Sequence, residues 1–307
     1  MGAGTIGASW ATFFASKAIP VKMYDVDASI LENGVRKAQE NLATIAEYGL
    51  LDRPTLDRAT GNIRSSGSLR EMVEGANYVQ ESILENYEVK KKIFHELDSL
   101  TSADVILASS SSGLLMSEIQ SVTDHPERCL IAHPFNPPHL VPLVELVPGR
   151  RTDPELVQFV KSFFEGLGKT PVVLKKEAPG HIANRLAAAL WRESIEIVTR
   201  GIASVEDVDK ALYAGPGIRW ALMGQHLIYH LGGGEGGYEY FIDHIGKAFG
   251  ALWEDMPTWT EISDESKKTL VQGIEDAVGD KSLAELARWR DKKIVDLIKV
   301  IYEKPGT

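Results

Sequence analysis

An α/β domain with a mostly parallel sheet, followed by an all-helical domain, is the fold class the sequence predicts. Three observations carry it. Short apolar runs alternate with helical segments through the first half of the chain, the pattern that builds parallel sheets covered on both faces. A glycine-rich turn stands at the start of the first helical segment. Strand signals vanish from Pro179 onward.

The elements follow in order. Residues 5–17 read as a helix with small and apolar positions at Ile6, Ala8, Trp10, Ala11, Phe13 and Phe14. Residues 21–24 read as a short strand ending at Asp25, and 27–48 as a helix. A strand at 78–82 leads into a polar helix at 87–100. Apolar runs at 105–108, 129–132 and 143–147 have the length of buried strands. A helix at 154–167 precedes the last strand, 170–174. The polar stretch at 175–180 marks a boundary, giving domains 1–177 and 178–307. Beyond it, 182–200, 205–212, the segment after Gly237 and 282–302 read as helices. The glycine run at 232–237 reads most simply as a flexible loop.

Composition narrows the function classes. With 307 residues and 44% hydrophobic content, the chain has ample material for buried cores. The balance of 33 basic and 43 acidic residues gives a net charge of −10. An acidic chain without a long basic tract argues against nucleic acid and anionic membrane surfaces as partners. A single cysteine, Cys129, allows no internal disulfide and points to a cytoplasmic location. No run of 18 apolar residues suggests a membrane span. The first residues lack the basic and apolar regions of a signal peptide.

Gly2-Ala3-Gly4-Thr5-Ile6-Gly7 is a G-x-G-x-x-G pattern. Such a pattern is weak alone, but here it opens a helix, and a strand ending in an acidic residue follows about 20 positions later. Gly2 would permit the tight turn, Gly4 the close approach of a pyrophosphate, and Gly7 the packing of helix on strand. The helix N-terminus, with the amides of Thr5 and Ile6, would face the phosphates. Asp25 would accept from a ribose 2′-hydroxyl and repel a 2′-phosphate, so NAD is the expected cofactor rather than NADP. The pattern should follow a strand, and only Met1 precedes it. The expectation is a first strand that is truncated here, with the native start lying upstream.

Ligands of open α/β sheets bind beyond the carboxyl ends of the strands. Three such places carry polar groups: Ser109 to Gly113, His133 to Pro138, and Glu145. A buried Glu beside a His orients the imidazole and raises its basicity. Taken singly, each has a plainer reading. Serine clusters cap helices, a lone histidine is commonly structural, and a strand glutamate faces solvent on an edge. His133 and His139 lack a third ligand for a metal, and no metal is expected.

These residues resemble the 3-hydroxyacyl-CoA dehydrogenase superfamily over essentially the whole chain. The Ser-His-Glu spacing of that family matches Ser112, His133 and Glu145. Its H-x-x-N-P matches His133 to Pro137, including Asn136. Its P-G-[F/H]-x-x-N-R matches Pro179 to Arg185, and its E-x-x-x-E-N…K matches Glu81, Glu85, Asn86 and Lys90. The resemblance implies a Rossmann NAD-binding domain and a helical C-terminal domain that forms a homodimer. It implies His133 as general base held by Glu145. Ser112 and Asn184 would hydrogen-bond the substrate oxygen, and Asp25, Glu85 and Lys90 would contact NAD.

Within the superfamily the chain is most similar to the branch acting on small free L-3-hydroxy acids, and there to its carnitine dehydrogenase-like members. The resemblance rests on the Arg219-Trp220 pair, the glycines around Glu235, and residues 189–193 with Trp191. Arg219 would grip a carboxylate in a bidentate pair, with a structural arginine as the plainer reading. Trp191 would face a trimethylammonium group, unless it is a core residue. Asn136 and Trp220 complete the expected substrate set. The alternatives are L-gulonate 3-dehydrogenase, a 3-hydroxybutyryl-CoA-type dehydrogenase, and a crystallin-like structural protein that binds NAD.

Overall fold

The computed structural model describes residues 1–302, and its contacts divide the chain into two units, the first ending at Arg185 and the second beginning at Leu186. The first unit runs α1 (Thr5–Ser16), β1 (Val21–Met23), α2 (Ala28–Glu47), α3 (Arg53–Gly61), β2 (Ile63–Ser65), α4 (Leu69–Val73) and β3 (Tyr78–Glu81). It continues with α5 (Tyr87–Leu100), β4 (Ile106–Ser109), α6 (Met116–Ile119), β5 (Cys129–Pro134), β6 (Leu143–Pro148), α7 (Pro154–Gly166) and β7 (Thr170–Val173).

The strands form a pair, β1-β2, and a five-stranded sheet in the order β3-β4-β5-β6-β7. All neighbours are parallel except β5 and β6, which are antiparallel. β4 and β5 are buried at every position, as continuous apolar runs covered on both faces must be. β1 and β3 do not pair with each other. Met1 and Gly2 stitch them instead. Ser82 N donates to Met1 O at 2.8 Å, Met1 N to Gln80 O at 3.1 Å, and Gly2 N to Tyr24 O at 2.9 Å. A cleft of about 500 Å³ lies beside this seam, lined by Trp10, Phe14, Val21, Tyr78 and Phe163 among others.

One core cluster joins α1 and α7 to the sheet. Trp10 stacks on Phe14 at 5.3 Å, and Phe14 meets Tyr78, Phe163 and Phe164 within 6.3 Å. The other cluster packs α4, α5 and α6 against β3, β4 and β5 through Met72, Phe94, Leu97, Met116 and Ile131. Local chemistry fixes the helix starts. Asp27 caps α2 through Ser29 N and Ile30 N, Asn86 caps α5 through Val89 N, and Asp153 precedes the Pro154 that opens α7.

α8 (Ala183–Thr199) carries the chain from the first unit into the second. There follow α9 (Val205–Ala214), α10 (Pro216–Leu222), α11 (Gln225–Gly232), α12 (Gly237–Tyr240), α13 (Lys247–Asp255), α14 (Asp264–Val278) and α15 (Leu283–Tyr302). The glycine run is not the loop expected of it. Gly234–Gly236 form a 3-10 turn that feeds α12, and a side chain at Gly233 would meet Gly237 O at 1.8 Å. Its glycines serve tight helical turns. Tyr229 stacks on Phe241 at 4.3 Å to seat this segment. Among the described residues no helix is long and apolar enough to cross a membrane.

Candidate active site

The glycine-rich turn has the shape its sequence requires. Gly2 adopts φ +82°, and a Cβ there would lie 2.5 Å from Ser82 O. A Cβ on Gly7 would lie 1.9 Å from Gly2 O, so α1 can sit against the turn only without a side chain at that position. Gly4, by contrast, faces open space. Ala8 N makes the first backbone bond of α1, to Gly4 O, so the amides of Thr5, Ile6 and Gly7 remain available to a ligand. Asp25 stands after β1 and accepts from Ala3 N at 2.8 Å, which fixes the turn from its far side. Open amides, open space at Gly4 and a carboxylate after β1 fit a dinucleotide.

The 12-residue separation of His133 and Glu145 is explained by the β5–β6 ladder. The antiparallel register sets His133 directly opposite Glu145. Both side chains are buried, and His133 Nδ1 lies 2.8 Å from Glu145 Oε2. The second oxygen, Oε1, accepts from Ile182 N at 2.8 Å and Ala183 N at 2.9 Å at the start of α8. Burial pushes the Glu145 carboxyl upward, but the His133 bond and the Ala183 and Ile182 amides outweigh it, and the pKa is lowered. An ionised carboxylate only accepts, so Nδ1 of His133 carries a proton, and in the neutral ring the lone pair lies on Nε2. No described residue bonds that Nε2.

The serine turn after β4 hangs on Glu85. Its Oε1 accepts from Ser111 Oγ at 2.7 Å, Ser112 N at 2.8 Å and Gly113 N at 3.0 Å. Burial raises the Glu85 carboxyl, and these donors with Lys90 more than reverse the shift. Ser112 itself is exposed, and Asn184 Nδ2 donates to Ser112 O at 3.2 Å. Lys90 is only 1% exposed, with Nζ 2.7 Å from Glu81 and 3.5 Å from Glu85. Its position is beneath Glu85, so its influence on a cofactor runs through that carboxylate. Ser109 Oγ completes the buried knot by donating to Glu81 Oε2 at 2.5 Å, a contact set by the β3–β4 register.

Ser112, His133, Glu145 and Asn184 therefore meet within the first unit, together with residues the sequence did not single out. Glu81 stands in the sequence only as part of the E-x-x-x-E-N…K pattern, and its buried pairing with Lys90 is set by the packing of β3 against α5. His181 is buried and touches both His133 and the serine turn. Asn136 is exposed just beyond β5. His139 pairs with Ser9 at 2.6 Å. Trp191, Arg219 and Trp220 belong to the second unit. Trp191 is 62% exposed, and Trp220 donates its indole N–H to Gln225. Arg219 is exposed, and its guanidinium has no ion pair or hydrogen-bond partner among the described residues.

Comparison with known proteins adds the following. Residues 1–178 match the family model of the 3-hydroxyacyl-CoA dehydrogenase NAD binding domain, and residues 180–273 that of its C-terminal domain. The chain is 35% identical to an L-carnitine dehydrogenase of Oceanobacillus iheyensis, over 98% of this chain and 96% of the relative. It is 36% identical to one of Streptomyces coelicolor, over 97% and 92%. Its fold is similar to that of 5-formyl-3-hydroxy-2-methylpyridine 4-carboxylic acid 5-dehydrogenase, with a TM-score of 0.82, 24% identity, and coverage of 99% and 97%.

Proposed function

The chain belongs to the 3-hydroxyacyl-CoA dehydrogenase family, and from that premise we propose that this NAD-dependent oxidoreductase oxidises the 3-hydroxyl of a small L-3-hydroxy acid, with L-carnitine the favoured substrate. The observation that carries the chemistry is the His133–Glu145 pair, 2.8 Å apart, with no described residue bonded to His133 Nε2. The identity to carnitine dehydrogenases over nearly the full length favours the substrate.

Oxidation of a secondary alcohol removes a hydride and a proton. The Thr5, Ile6 and Gly7 amides, the open face of Gly4 and Asp25 would hold NAD, which when bound would provide the hydride acceptor. His133 Nε2 takes the hydroxyl proton, and the ionised Glu145 compensates the imidazolium that forms. Ser112 Oγ and the Asn184 amide donate to the substrate oxygen as it gains alkoxide character. Glu85 holds Ser112 in place, and Lys90 keeps Glu85 ionised. Arg219 pairs with the substrate carboxylate, while Trp191, Trp220 and Asn136 line the remainder of the substrate site. Domain 1–177 supplies the cofactor-binding residues together with Ser112, His133, Asn136 and Glu145, and domain 178–307 supplies Asn184, Trp191, Arg219 and Trp220 to the substrate.

The protein works in the cytoplasm as a homodimer. Leu186, Leu222, Leu231, Trp253 and Trp289 are each at least 60% exposed in the second unit, and a second copy would cover them. The deciding experiment follows NADH formation with L-carnitine, L-gulonate and L-3-hydroxybutyryl-CoA. Preference for L-carnitine, lost at least 30-fold in Arg219→Met, supports the reading. Preference for the thioester, insensitive to Arg219, overturns the substrate assignment.

A further inference from the structure

We propose that His181 is a positioning residue for proton transfer, holding the serine turn and the face of His133 in one arrangement. The inference rests on the reading of His133 as general base and deepens it.

The imidazole is placed by a sharp turn. Gly180 has φ +75°, and His181 itself has φ +52°, a left-handed conformation uncommon for a residue with a Cβ. The turn drives the side chain inward, where it is 2% exposed. Its Nε2 lies 2.9 Å from Ser111 O. A carbonyl only accepts, so Nε2 carries a proton. Nδ1 is buried and without a partner among the described residues. The ring centroid is 5.2 Å from that of His133, with the planes inclined at 59°.

These contacts complete the hold on Ser111. Its amide donates to Ser109 Oγ at 3.1 Å, and its hydroxyl to Glu85 Oε1 at 2.7 Å. His181 takes the carbonyl. With Asn184 on Ser112 O, the segment that enters α8 grips two consecutive carbonyls of the turn. The same segment gives its Ile182 and Ala183 amides to Glu145, the partner of His133. Ser112 and His133 Nε2 must converge on one substrate oxygen, and His181 connects the supports of both.

The test compares His181→Phe, which keeps a flat ring but no donor, with His181→Gln, whose amide N–H can replace Nε2–H. Oxidation is measured with the fastest of the three substrates named above. We expect His181→Phe to lower kcat at least tenfold with the NAD dissociation constant within twofold of the unaltered protein, and His181→Gln to recover most of kcat. A merely structural role would depress both variants together or shift NAD binding as well. Near-normal kcat in His181→Phe, or equal loss in both, overturns the proposal. If His181→Phe does not fold, His181→Asn, one methylene too short to reach Ser111 O, takes its place against His181→Gln. If the unaltered protein oxidises none of the substrates, the functional reading fails separately. The positioning role is then decided by the ¹⁵N pattern of the His181 ring and the Ser111 to Gly113 amide shifts. An Nδ1–H tautomer, or a serine turn unmoved by His181→Phe, refutes it.

Discussion

Glu145 divides its two oxygens between an imidazole and a helix start, and such doubly committed residues decide what single substitutions do. Replacing His133 by Gln removes the base and leaves the glycine turn untouched. Turnover should fall by about 10²- to 10⁴-fold, with NAD affinity unchanged by calorimetric titration. Near-normal turnover would dismiss the general-base role. Lys90 makes a different case. It and Glu81 are both almost fully buried, so Lys90→Met strands a carboxylate in the core. A loss of about 3–5 kcal/mol in urea unfolding is expected, and a loss under 1 kcal/mol would mean that Glu81 finds other compensation. His133 and Glu145 were legible in the sequence because strand ends carry chemistry and apolar runs reveal strand ends. The burial of Lys90 and the placement of His181 were not, because each depends on contacts between segments that no spacing encodes.

Elements with strong local signals matched their sequence reading, and those held by tertiary contacts did not. The long amphipathic α2, α5 and α7 and the apolar β4 and β5 stand where the sequence puts them. β2, only three residues with Arg64 at its centre, has too little pattern to declare itself, and pairing with β1 creates it. α3, α4, α6, α10 and α11 also fall outside the sequence reading. Several are short, and glycine or proline interrupts the apolar period around α10 and α11. The glycine run gives the clearest lesson. Composition suggested freedom, whereas the packing needs glycine for closeness. Gly7 extends that argument to a test. Gly7→Ala puts a methyl 1.9 Å from Gly2 O, so the turn and α1 must part. Overpacking of this kind costs about 1–3 kcal/mol, and NAD binding should weaken with it. If thermal stability falls while NAD affinity holds, the turn does not bind the cofactor in the manner proposed.

At the scale of the molecule, the second unit leaves large apolar side chains on its surface. Sedimentation equilibrium should return twice the 33.7 kDa chain mass, and Trp253→Glu should shift it toward the monomer. A monomeric mass for the unaltered protein at micromolar concentration would rule out the proposed dimer. The α/β and all-α halves were readable from the loss of strand signal. The helix joining them was readable too, but its anchorage to Glu145 was not. That anchorage turns the first turn of α8 into a built-in indicator of the reaction centre. The Glu145 pKa is lowered by its donors, so its grip is complete above the usual carboxylate range and fails as pH drops through its own lower value. Amide exchange at Ile182 and Ala183 should accelerate over that acid interval and stay slow above it. In Glu145→Gln the acid step should vanish from both amides. A step that persists there would trace the fraying to some other acid. An amide signal could thus follow the charge state of the dyad in a protein at rest, with neither substrate nor cofactor added.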